Sequence, residues 1–450
     1  MVYLLLKKHK VLKYKGKTMS QTIKPKLVVI GNGMAAMKTV EELLESDPHR
    51  YDITVFGAEP YGNYNRILLS NVLTGETSVN DIMLHDKAWY KKHTITLHCG
   101  DNKKIVHIDR KNKHITSQDG TQAVFDTLLI ATGSNPFIAP IKGNNLDGVI
   151  AFRDITDVET MIHYSQNKQH AVVLGGGLLG LEAANGLNQK GMQVTVIHKS
   201  GSILNRQLDT HAARLLQTEL EKRGVAFLVS TQVEEIQGDN GHVTKLQLDN
   251  QQTIPCDLFI MAIGVKPNVE LAKQAGLASN RGIIVNDTLQ TYDPAIYAVG
   301  ECIEHRGDTF GLVAPLFDQA KVCANHLAHH GVGAYRTLPQ ATKLKITGIF
   351  VFSAGQFNGT QHSESLTIED TCAGTYKKLV VENNTLIGVV LYGDTQDGLW
   401  YQQLIENKTR INTIRPLLAF GKAYCQPLLD EVNNPTQPHQ QNDLATEISA

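Results

Sequence analysis

The chain has 450 residues and a formal net charge of −1; 42% of its residues are apolar and 19% are charged. This length exceeds one compact core, so two or three domains are expected. The balanced charge indicates neither a nucleic-acid nor a membrane-surface partner, and the apolar runs fall far short of the roughly 20 residues that a membrane span needs.

The first 25 residues, MVYLLLKKHKVLKYKGKTMSQTIKP, begin apolar and then turn lysine-rich. The run YLLL is too short for a secretory signal, and no small-residue cleavage site follows it. Two interpretations stay open: residues 1–25 form a disordered tail, or translation starts at Met19.

A nucleotide-binding motif follows in the stretch KLVVIGNGMAAMKTVEELLES. It predicts a buried strand at 27–30, a GxGxxA turn and a helix through Leu44. Gly31 permits the tight turn, Gly33 lets a diphosphate approach the backbone, and the small side chain of Ala36 allows helix and strand to pack closely. The free N–H groups at the start of the helix would face the phosphates.

The same pattern returns at residues 171–187, AVVLGGGLLGLEAANGL, with Gly175, Gly177 and Gly180 in the corresponding places. A single GxGxxA turn is weak evidence, because such turns also serve as plain connectors. Two of them, each after an apolar run and before a helix, predict an internal duplication of a nucleotide-binding unit.

The strand after each turn carries the group that reads the adenosine ribose. In YDITVFGAEP, Glu59 is the natural acceptor for ribose hydroxyl groups. In MQVTVIHKS, His198 and Lys199 stand where an acid is expected. These two residues either accept a 2′-phosphate, which would favour NADPH, or point into solvent, and the sequence leaves both readings open.

Later strands end in glycine at matching places. FDTLLIATGSNP leads to Thr132 and Gly133, and CDLFIMAIGVKPN places Gly264 in the corresponding position. Glycine there lets the backbone cross close to a bound nucleotide. TYDPAIYAVGECIEH leads in the same way to Gly300 and Glu301.

Two more elements are predicted near the end of the chain. A helix is expected from about Pro315 through Leu327, because proline suits the first turn of a helix. The run YKKLVVENNTLIGVVLYG alternates apolar and polar residues around an Asn-Asn pair, which predicts a β-hairpin.

No two of the six cysteines are close enough in sequence to form a CxxC or CxxxxC pair. This spacing excludes a dithiol redox centre and any zinc or iron–sulfur site built from cysteine, and no other metal site is predicted. Free thiols fit a cytoplasmic protein best. The six are Cys99, Cys256, Cys302, Cys323, Cys372 and Cys425.

Together these motifs resemble the two-dinucleotide-binding-domain flavoproteins, which have the pyridine nucleotide-disulfide oxidoreductase fold and include glutathione-reductase-like and ferredoxin-reductase-like enzymes. The resemblance covers residues 26 to about 330. It is closer to the FAD/NAD module of NAD(P)H nitrite reductase large subunits, and it extends past residue 335. The blocks that carry it include ITVFGAEPYGNYNRILLS, GGGLLGLEAANGL, NRQLD, GLVAPLFDQA and YKKLVVENNTLIGVVLYGDTQDGLW.

The resemblance implies an α/β chain with two Rossmann-like nucleotide-binding domains and a smaller C-terminal α+β domain. The C-terminal domain is expected either to contribute homodimer or partner contacts or to serve as a structural cap. The implied boundaries are a disordered tail at 1–25, an FAD-binding domain at 26–145 and 266–335, an NAD(P)H-binding domain at 146–265, the C-terminal domain at 336–425 and a disordered tail at 426–450.

The resemblance also assigns residues to each cofactor. Glu182 would lie near the reactive edge of the flavin as the catalytic residue, would seat the nicotinamide, or is simply an acid on the surface of its helix. Ferredoxin-reductase relatives pair this glutamate with a lysine, but that position holds Asn71 here, which puts the pairing in doubt. FAD would be bound by Gly31, Gly33, Ala36, Glu59, Arg66, Ser70, Thr132, Gly133, Gly300, Glu301 and the helix start at Pro315, and NAD(P)H by Gly175, Gly177, Gly180, His198, Lys199 and Gly264.

The implied function is an FAD-dependent NAD(P)H oxidoreductase that passes electrons to a separate redox partner. The expected partner is the sirohaem subunit of an assimilatory nitrite reductase, a rubredoxin or a ferredoxin. Residues 26–98 contain no cysteine, so disulfide reductase chemistry is excluded, and without cysteine clusters the chain alone is not expected to reduce nitrite.

Two alternatives remain open. One is a rubredoxin or ferredoxin reductase that serves another terminal enzyme. The other is a non-enzymatic FAD-binding signalling protein of the apoptosis-inducing-factor type.

Overall fold

The computed structural model describes residues 24–433, apart from 338–340, 345 and 347. The choice between Met1 and Met19, most of the predicted tail at 1–25 and the end of the chain after residue 433 lie outside the described residues. The longer helices span Met34–Ser46, Ile155–Asn167, Leu178–Gln189, Thr210–Lys222, Val313–Leu327, Gly398–Glu406 and Lys422–Asn433, and the shorter ones Leu69–Thr74, Lys87–Lys92 and Glu270–Gln274, with 3₁₀ turns at Arg66–Leu68, Asp101–Lys103 and Leu418–Phe420.

The first unit is built on a five-stranded parallel sheet that shares one apolar core with helices Met34–Ser46 and Val313–Leu327 and with the three-stranded antiparallel sheet that begins at Ile105. Its strands are near-continuous apolar runs, as expected when both faces of a sheet are covered. Helix Met34–Ser46 packs against helix Val313–Leu327 on this sheet. In spatial order the strands are Ile296–Ala298, Thr127–Ile130, Lys26–Ile30, Asp52–Gly57 and Thr96–Cys99.

The second unit repeats this plan. Its five strands are again parallel, and apolar side chains of helices Ile155–Asn167, Leu178–Gln189 and Thr210–Lys222 are buried against them. In spatial order the strands are Val149–Ala151, Leu258–Met261, His170–Leu174, Gln193–His198 and Val225–Val229.

Smaller sheets connect these elements. Each unit has one three-stranded antiparallel sheet, and two further strand pairs lie in the first unit. The three-stranded sheets are Ile105–Asp109, His114–Ser117 and Gln122–Val124, and Val233–Asp239, His242–Leu248 and Thr253–Pro255; the pairs are Asn63–Tyr64 with Met83–His85, and Ile283–Val285 with Ile303–His305.

The two connections between the units run side by side. Ser134–Pro136 leaves the first unit and pairs antiparallel with Val265–Pro267, which returns to it. The units also share an apolar contact, because helix Leu69–Thr74 of the first unit packs on helix Leu178–Gln189 of the second. A Cβ atom at Gly186 would lie 2.6 Å from Cδ2 of Leu73, so the small residue is what lets these helices approach.

The C-terminal unit is a five-stranded antiparallel sheet with helices Gly398–Glu406 and Lys422–Asn433 on one side. The predicted hairpin is confirmed, and both turn residues, Asn383 and Asn384, have positive φ angles of 50° and 58°. Asparagine tolerates this left-handed geometry, which matches the twist of the flanking strands. In spatial order the strands are Ala341–Lys343, Val351–Gly355, Thr385–Tyr392, Thr375–Glu382 and Glu364–Asp370.

The predicted disordered segment from 426 to 450 is wrong for its first residues, because the last helix continues to residue 433. Leu428 and Leu429 pack against the C-terminal core, and Trp400 Nε1 donates to Gln426 Oε1 at 3.2 Å. The chain is strongly polar after residue 433, and the predicted disordered segment was begun too early, inside this helix.

The predicted fold class is confirmed: an α/β chain with two Rossmann-like units and a smaller α+β unit. The strands of the two parallel sheets fall within the segments predicted for the two nucleotide-binding domains. Within the described residues, no helix combines the length and the apolar character that crossing a bilayer requires.

Candidate functional site

A cleft of about 1710 Å³ lies between the two units and is lined by both glycine turns. Of the predicted site residues, Gly180 and Pro315 do not line it. Gly180 packs beneath the second turn, where a Cβ atom would lie 1.9 Å from the carbonyl oxygen of Gly175, and Pro315 is buried in its helix. Those that line the cleft are Gly31, Gly33, Ala36, Glu59, Arg66, Ser70, Thr132, Gly133, Gly175, Gly177, Glu182, His198, Lys199, Gly264, Gly300 and Glu301.

The first turn requires glycine at Gly31. Its φ is +111°, and a Cβ atom would lie 2.1 Å from the carbonyl oxygen of Ala131. Its N–H donates to the carbonyl of Phe56 at 2.8 Å, so the turn is tied to the neighbouring strand. Gly33 then precedes the helix in extended geometry with no side-chain cap, which leaves the N–H groups of the first turn of the helix to face the cleft.

The second turn has the same geometry at Gly175. Its φ is +121°, and an added Cβ atom would lie 2.4 Å from the carbonyl oxygen of Ala262. Its N–H donates to the carbonyl of Ile197 at 2.8 Å. Gly177 again precedes the helix without a side-chain cap. The cleft therefore receives two uncapped helix N-termini, a setting that favours anionic groups.

The glycines that follow two later strands, Gly133 and Gly264, also adopt positive φ angles, +66° and +119° respectively. The backbone at Gly133 is fixed by Asn268, whose N–H donates to its carbonyl at 2.9 Å. The Thr132 hydroxyl donates to the carbonyl of Asn268 at 2.7 Å. The backbone at Gly133 is therefore hydrogen-bonded to the segment that returns from the second unit.

Glu59 lies in a charged group at the first turn. Its carboxylate accepts the hydroxyl of Tyr64 at 2.6 Å and forms an ion pair with Arg66. Burial, opposed by the nearby Arg66 charge, raises the pKa of Tyr64 far above its ordinary value, so this hydroxyl stays protonated and donates. Both predicted residues, Glu59 and Arg66, are thus brought together at the cleft.

Glu301 lies on the floor of the cleft, after the strand that ends at Ala298. Its Oε2 accepts the hydroxyl of Ser134 at 2.6 Å and the guanidinium of Arg153. Helix Val313–Leu327 begins nearby at the cleft, with no side-chain cap at Leu312. A third uncapped helix N-terminus therefore faces the same space.

A family model for pyridine nucleotide-disulphide oxidoreductases matches residues 25–326, which is more than half of the chain. The chain belongs to this family. A second model, the rubredoxin NAD⁺ reductase C-terminal domain, matches residues 341–409. The sequence prediction of this family, and of an oxidoreductase, is confirmed.

Relatives within the family agree. The chain is 46% identical over 400 residues to an NAD(P)H nitrite reductase of Bacillus subtilis, covering 88% of this chain and 49% of that one. It is 46% identical over 374 residues to the assimilatory nitrate reductase electron transfer subunit of the same organism, covering 83% and 48%. The chain thus spans about half the length of these curated relatives.

Among solved structures of the family, NADH:rubredoxin oxidoreductase from Clostridium acetobutylicum matches with a TM-score of 0.73. The two chains are 25% identical, and the match covers 88% of this chain and 99% of that one. Since nearly the whole of that reductase is matched, the likeness includes the C-terminal unit as well as the two nucleotide-binding units.

In this member of the family, the position that would pair with Glu182 carries a different contact. Glu182 lies on helix Leu178–Gln189 and lines the cleft. Asn71 donates to Glu76 at 2.7 Å, so its amide is bonded within its own segment. The roles of Asn71 and Glu182 stay predictions.

His198 and Lys199 differ from each other in the structure. The Nδ1 atom of His198 accepts the N–H of Gly176 at 3.1 Å, and burial lowers the pKa of its imidazole. A neutral ring that supports the glycine turn is thus favoured over a cation that reads phosphate. Lys199 is exposed at the rim of the cleft.

Sequence reasoning missed several residues that line the cleft. Arg153 and Ser134 reach Glu301, and Asn205 and Arg206 stand at the rim near Lys199. The last two lie in the NRQLD block that carried the family resemblance, which was the available signal. Arg153 directly precedes an Asp-x-x-Asp capping pair, Asp154 and Asp157, but nothing in that spacing indicated the contact with Glu301.

Proposed function

We propose that the chain binds FAD at the first turn and NAD(P)H at the second, and delivers electrons from NAD(P)H to a separate redox protein as the flavin component of nitrite assimilation. The observation that carries this proposal is the pair of matched glycine turns that open on one cleft. A cytoplasmic location is part of the proposal, since all six cysteines are free.

The residues present fit two dinucleotides. A Cβ atom at Gly33 or Gly177 would meet no protein atom within 4 Å, so these glycines are not required by the packing of the protein and instead leave room for a diphosphate. Ser70 Oγ is buried at the cleft and has no hydrogen-bond partner among the described residues. A buried hydroxyl without a partner is costly, which supports a ligand group at this place.

The roles proposed for FAD follow from position. Gly31, Gly33 and Ala36 form the diphosphate turn, while Glu59 accepts ribose hydroxyl groups. Glu301 accepts a hydroxyl of the ribityl chain. Arg66, Ser70, Thr132, Gly133 and Gly300 line the remainder of the same pocket.

The roles proposed for NAD(P)H are parallel. Gly175 and Gly177 form its diphosphate turn, with Gly180 supporting that turn from beneath. Gly264 lets the backbone pass close to the bound nucleotide, and Lys199 lies at the adenosine end of this site. Glu182 is the proposed contact for the nicotinamide.

Bound FAD would supply the chemistry, by accepting one hydride, and with it two electrons, from the nicotinamide and releasing those electrons singly. The chain would hold the two cofactors in one cleft. Leu178, Leu179 and Ile263 add apolar surface to this cleft. The uncapped helix at Val313 directs its positive end to the cleft and would favour a negative charge there.

The acceptor is proposed from the relatives and from what the chain lacks. Two relatives are named as an NAD(P)H nitrite reductase and a nitrate reductase electron transfer subunit. Residues 26–98 contain no cysteine that could form a redox disulfide beside a flavin. We therefore propose that electrons pass to a separate protein, with the sirohaem subunit of a nitrite reductase as the receiver.

A second candidate is a rubredoxin or ferredoxin reductase. The match of residues 341–409 to the rubredoxin NAD⁺ reductase C-terminal domain favours it, as does the likeness to a solved rubredoxin oxidoreductase. The two candidates share the flavin and the nicotinamide steps and differ only in the acceptor.

The test is anaerobic stopped-flow spectroscopy of the purified chain loaded with FAD. Addition of NADH or NADPH should bleach the flavin band within seconds, whereas free FAD, the control, should not bleach on that time scale. Bleaching that takes many minutes would favour a non-enzymatic FAD-binding protein. A protein that stays colourless with FAD would overturn the proposal.

The acceptor is decided in a second step. The reduced protein is mixed with a sirohaem nitrite reductase subunit, a rubredoxin or a ferredoxin, and reoxidation of the flavin is followed. Fast reoxidation by the sirohaem subunit is expected. Fast reoxidation by rubredoxin alone would replace the nitrite assignment with the second candidate.

A further inference from the structure

Arg153 occupies the boundary between the two units. It lies between strand Val149–Ala151 and Asp154, the N-cap of helix Ile155–Asn167. Its N–H donates to Asp157 Oδ2 at 2.6 Å, and its carbonyl accepts Arg66 Nη1 of the first unit at 3.1 Å. The backbone of Arg153 is therefore fixed from both sides.

The side chain of Arg153 turns back towards the first unit. Its guanidinium donates to Glu301 Oε2, and both side chains are largely buried, with 21% of Arg153 and 13% of Glu301 exposed. Ser134 Oγ donates to the same oxygen at 2.6 Å. Charge-assisted hydrogen bonds in such a setting are roughly twice as strong as neutral ones.

Both hydrogen bonds that the described residues give to Glu301 end on Oε2. This arrangement sets the rotation of the carboxylate and leaves Oε1 as the oxygen available to a ligand. A glutamate side chain has three rotatable bonds, and ordering it costs conformational entropy. Arg153 and Ser134 order it before any ligand binds.

We propose that Arg153 is a positioning residue for the flavin site, which fixes Glu301 so that Oε1 accepts a hydroxyl of the ribityl chain. This inference rests on the proposed function, since it takes FAD as the ligand of the first unit. Arg153 belongs to the second unit by its strand and helix, so the second unit takes part in FAD binding without touching the glycine turn at Gly31.

The experiment is a titration of the apoprotein with FAD, followed by flavin fluorescence, for Arg153→Met, Arg153→Lys and Glu301→Gln. Arg153→Met should weaken FAD binding by about tenfold or more, because a buried carboxylate loses its charged partner. Arg153→Lys keeps the positive charge but loses the planar guanidinium, so its affinity for FAD should lie between those of the wild type and Arg153→Met.

The double variant separates positioning from a general structural role. If Arg153 acts through Glu301, then Arg153→Met in the Glu301→Gln background should change the affinity for FAD by less than about threefold, since coupled residues are not additive. Ser134→Ala, which removes the other bond to Oε2, should behave in the same way and covers the case that Arg153→Met fails to fold.

The matched control is Arg415→Met. Arg415 donates to Glu364 at 2.6 Å in the C-terminal unit, away from the cleft, and its loss should leave the affinity for FAD unchanged. Wild-type affinity in Arg153→Met, or losses that multiply in the double variant, would overturn this inference alone. A wild-type protein that does not bind FAD would overturn the proposed function and this inference with it.

Discussion

The two glycine turns of this chain have nearly the same backbone and different polar surroundings. Gly31 and Gly175 have φ angles of +111° and +121°. At each, an added Cβ atom would collide with a carbonyl oxygen just beyond an adjacent strand of the sheet. Both donate to the neighbouring strand at 2.8 Å. The steric requirements of a strand, a turn and a helix thus recur wherever the sequence repeats them.

The side chains beside the turns differ in kind. The first turn has an acid, Glu59, held by Arg66 and Tyr64. The second has a neutral imidazole, His198, which is bonded to the turn itself, and an exposed Lys199. In the proposed function, the shared backbone provides a place for a diphosphate, while the residues after the second strand decide which nucleotide is bound.

The sharpest test of this comparison is the pair Gly33→Ala and Gly177→Ala. An added methyl group meets no protein atom within 4 Å at either place, so both variants should fold and melt like the wild type. With a ligand bound, the methyl group would occupy the space of the diphosphate. Overpacking of that size costs up to about 3 kcal/mol, or about 100-fold in affinity.

Each variant should affect one ligand. Gly33→Ala should lose FAD, measured as the ratio of flavin absorbance to protein absorbance after gel filtration. Gly177→Ala should retain FAD and bind NAD(P)H weakly, measured by titration. Gly201→Ala, outside the cleft and in ordinary contact with Ser230, is the control. Loss of both ligands in either variant would break the division between the two turns.

The second prediction concerns the acid at the first turn. Glu59→Gln removes the charge that accepts a ribose hydroxyl, and hydrogen bonds to charged groups contribute about 1.5–3 kcal/mol. FAD affinity should therefore fall by about tenfold or more, with little change for NAD(P)H. Glu364→Gln, in the surface pair with Arg415, is the control. Equal losses for both nucleotides would contradict the assignment of Glu59 to the first site.

The third prediction contrasts the glycine turns with a helix that does carry a side-chain cap. Helix Ile155–Asn167 begins at the same cleft, but Asp154 and Asp157 form a capping box there. Burial, followed by repulsion from Asp154, raises the pKa of Asp157 from 3.8 to about 6. The folded protein then binds more protons than the unfolded chain between about pH 4 and 6, so its stability falls as the pH rises through that window.

Asp157→Asn removes this titration and keeps an acceptor for the N–H of Arg153. The stability of the variant relative to the wild type should therefore increase by about 2–3 kcal/mol between pH 4 and 7, measured by urea unfolding. Hydrogen bonds from Asn112 lower the pKa of Asp109, so Asp109→Asn should show no trend in this window. A flat difference for Asp157→Asn would show that the cap is ionised throughout.

The smallest expected effect is at the second turn. If Lys199 reads a 2′-phosphate, Lys199→Ser should lower the preference for NADPH over NADH by about three- to fivefold, the scale of an exposed ion pair. His198→Asn should weaken both coenzymes equally, because His198 supports the turn. The control is Lys222→Ser, an exposed lysine outside the cleft. An unchanged coenzyme ratio in Lys199→Ser would show that Lys199 does not read phosphate.

The sequence was sufficient for the parts of the fold that local sterics determine. Backbone angles that few residues adopt determine the turns at Gly31 and Gly175, the strand ends at Gly133 and Gly264 and the hairpin at Asn383. Most predicted site residues line one cleft, because the carboxyl ends of parallel strands meet at one edge of a sheet.

What the sequence left out depends on contacts between distant segments. Arg153 and Glu301 are 148 positions apart, and no periodicity links them. The support that His198 gives to Gly176 depends on the rotamer of a single ring. The helix that ends the described chain was missed because its apolar contacts, through Leu428 and Leu429, lie close to a strongly polar segment.

The paired connections, Ser134–Pro136 and Val265–Pro267, place both ends of the second unit at one point. A segment whose ends adjoin can be replaced by another without displacing its host, so the second unit, the proposed coenzyme-binding half, is placed for such an exchange. Besides the ends, a replacement would have to reproduce the glycine at 186 that admits Leu73 and the arginine at 153 that bonds Glu301. Electron donors could thus be changed in evolution or by design while the acceptor side stays as it is.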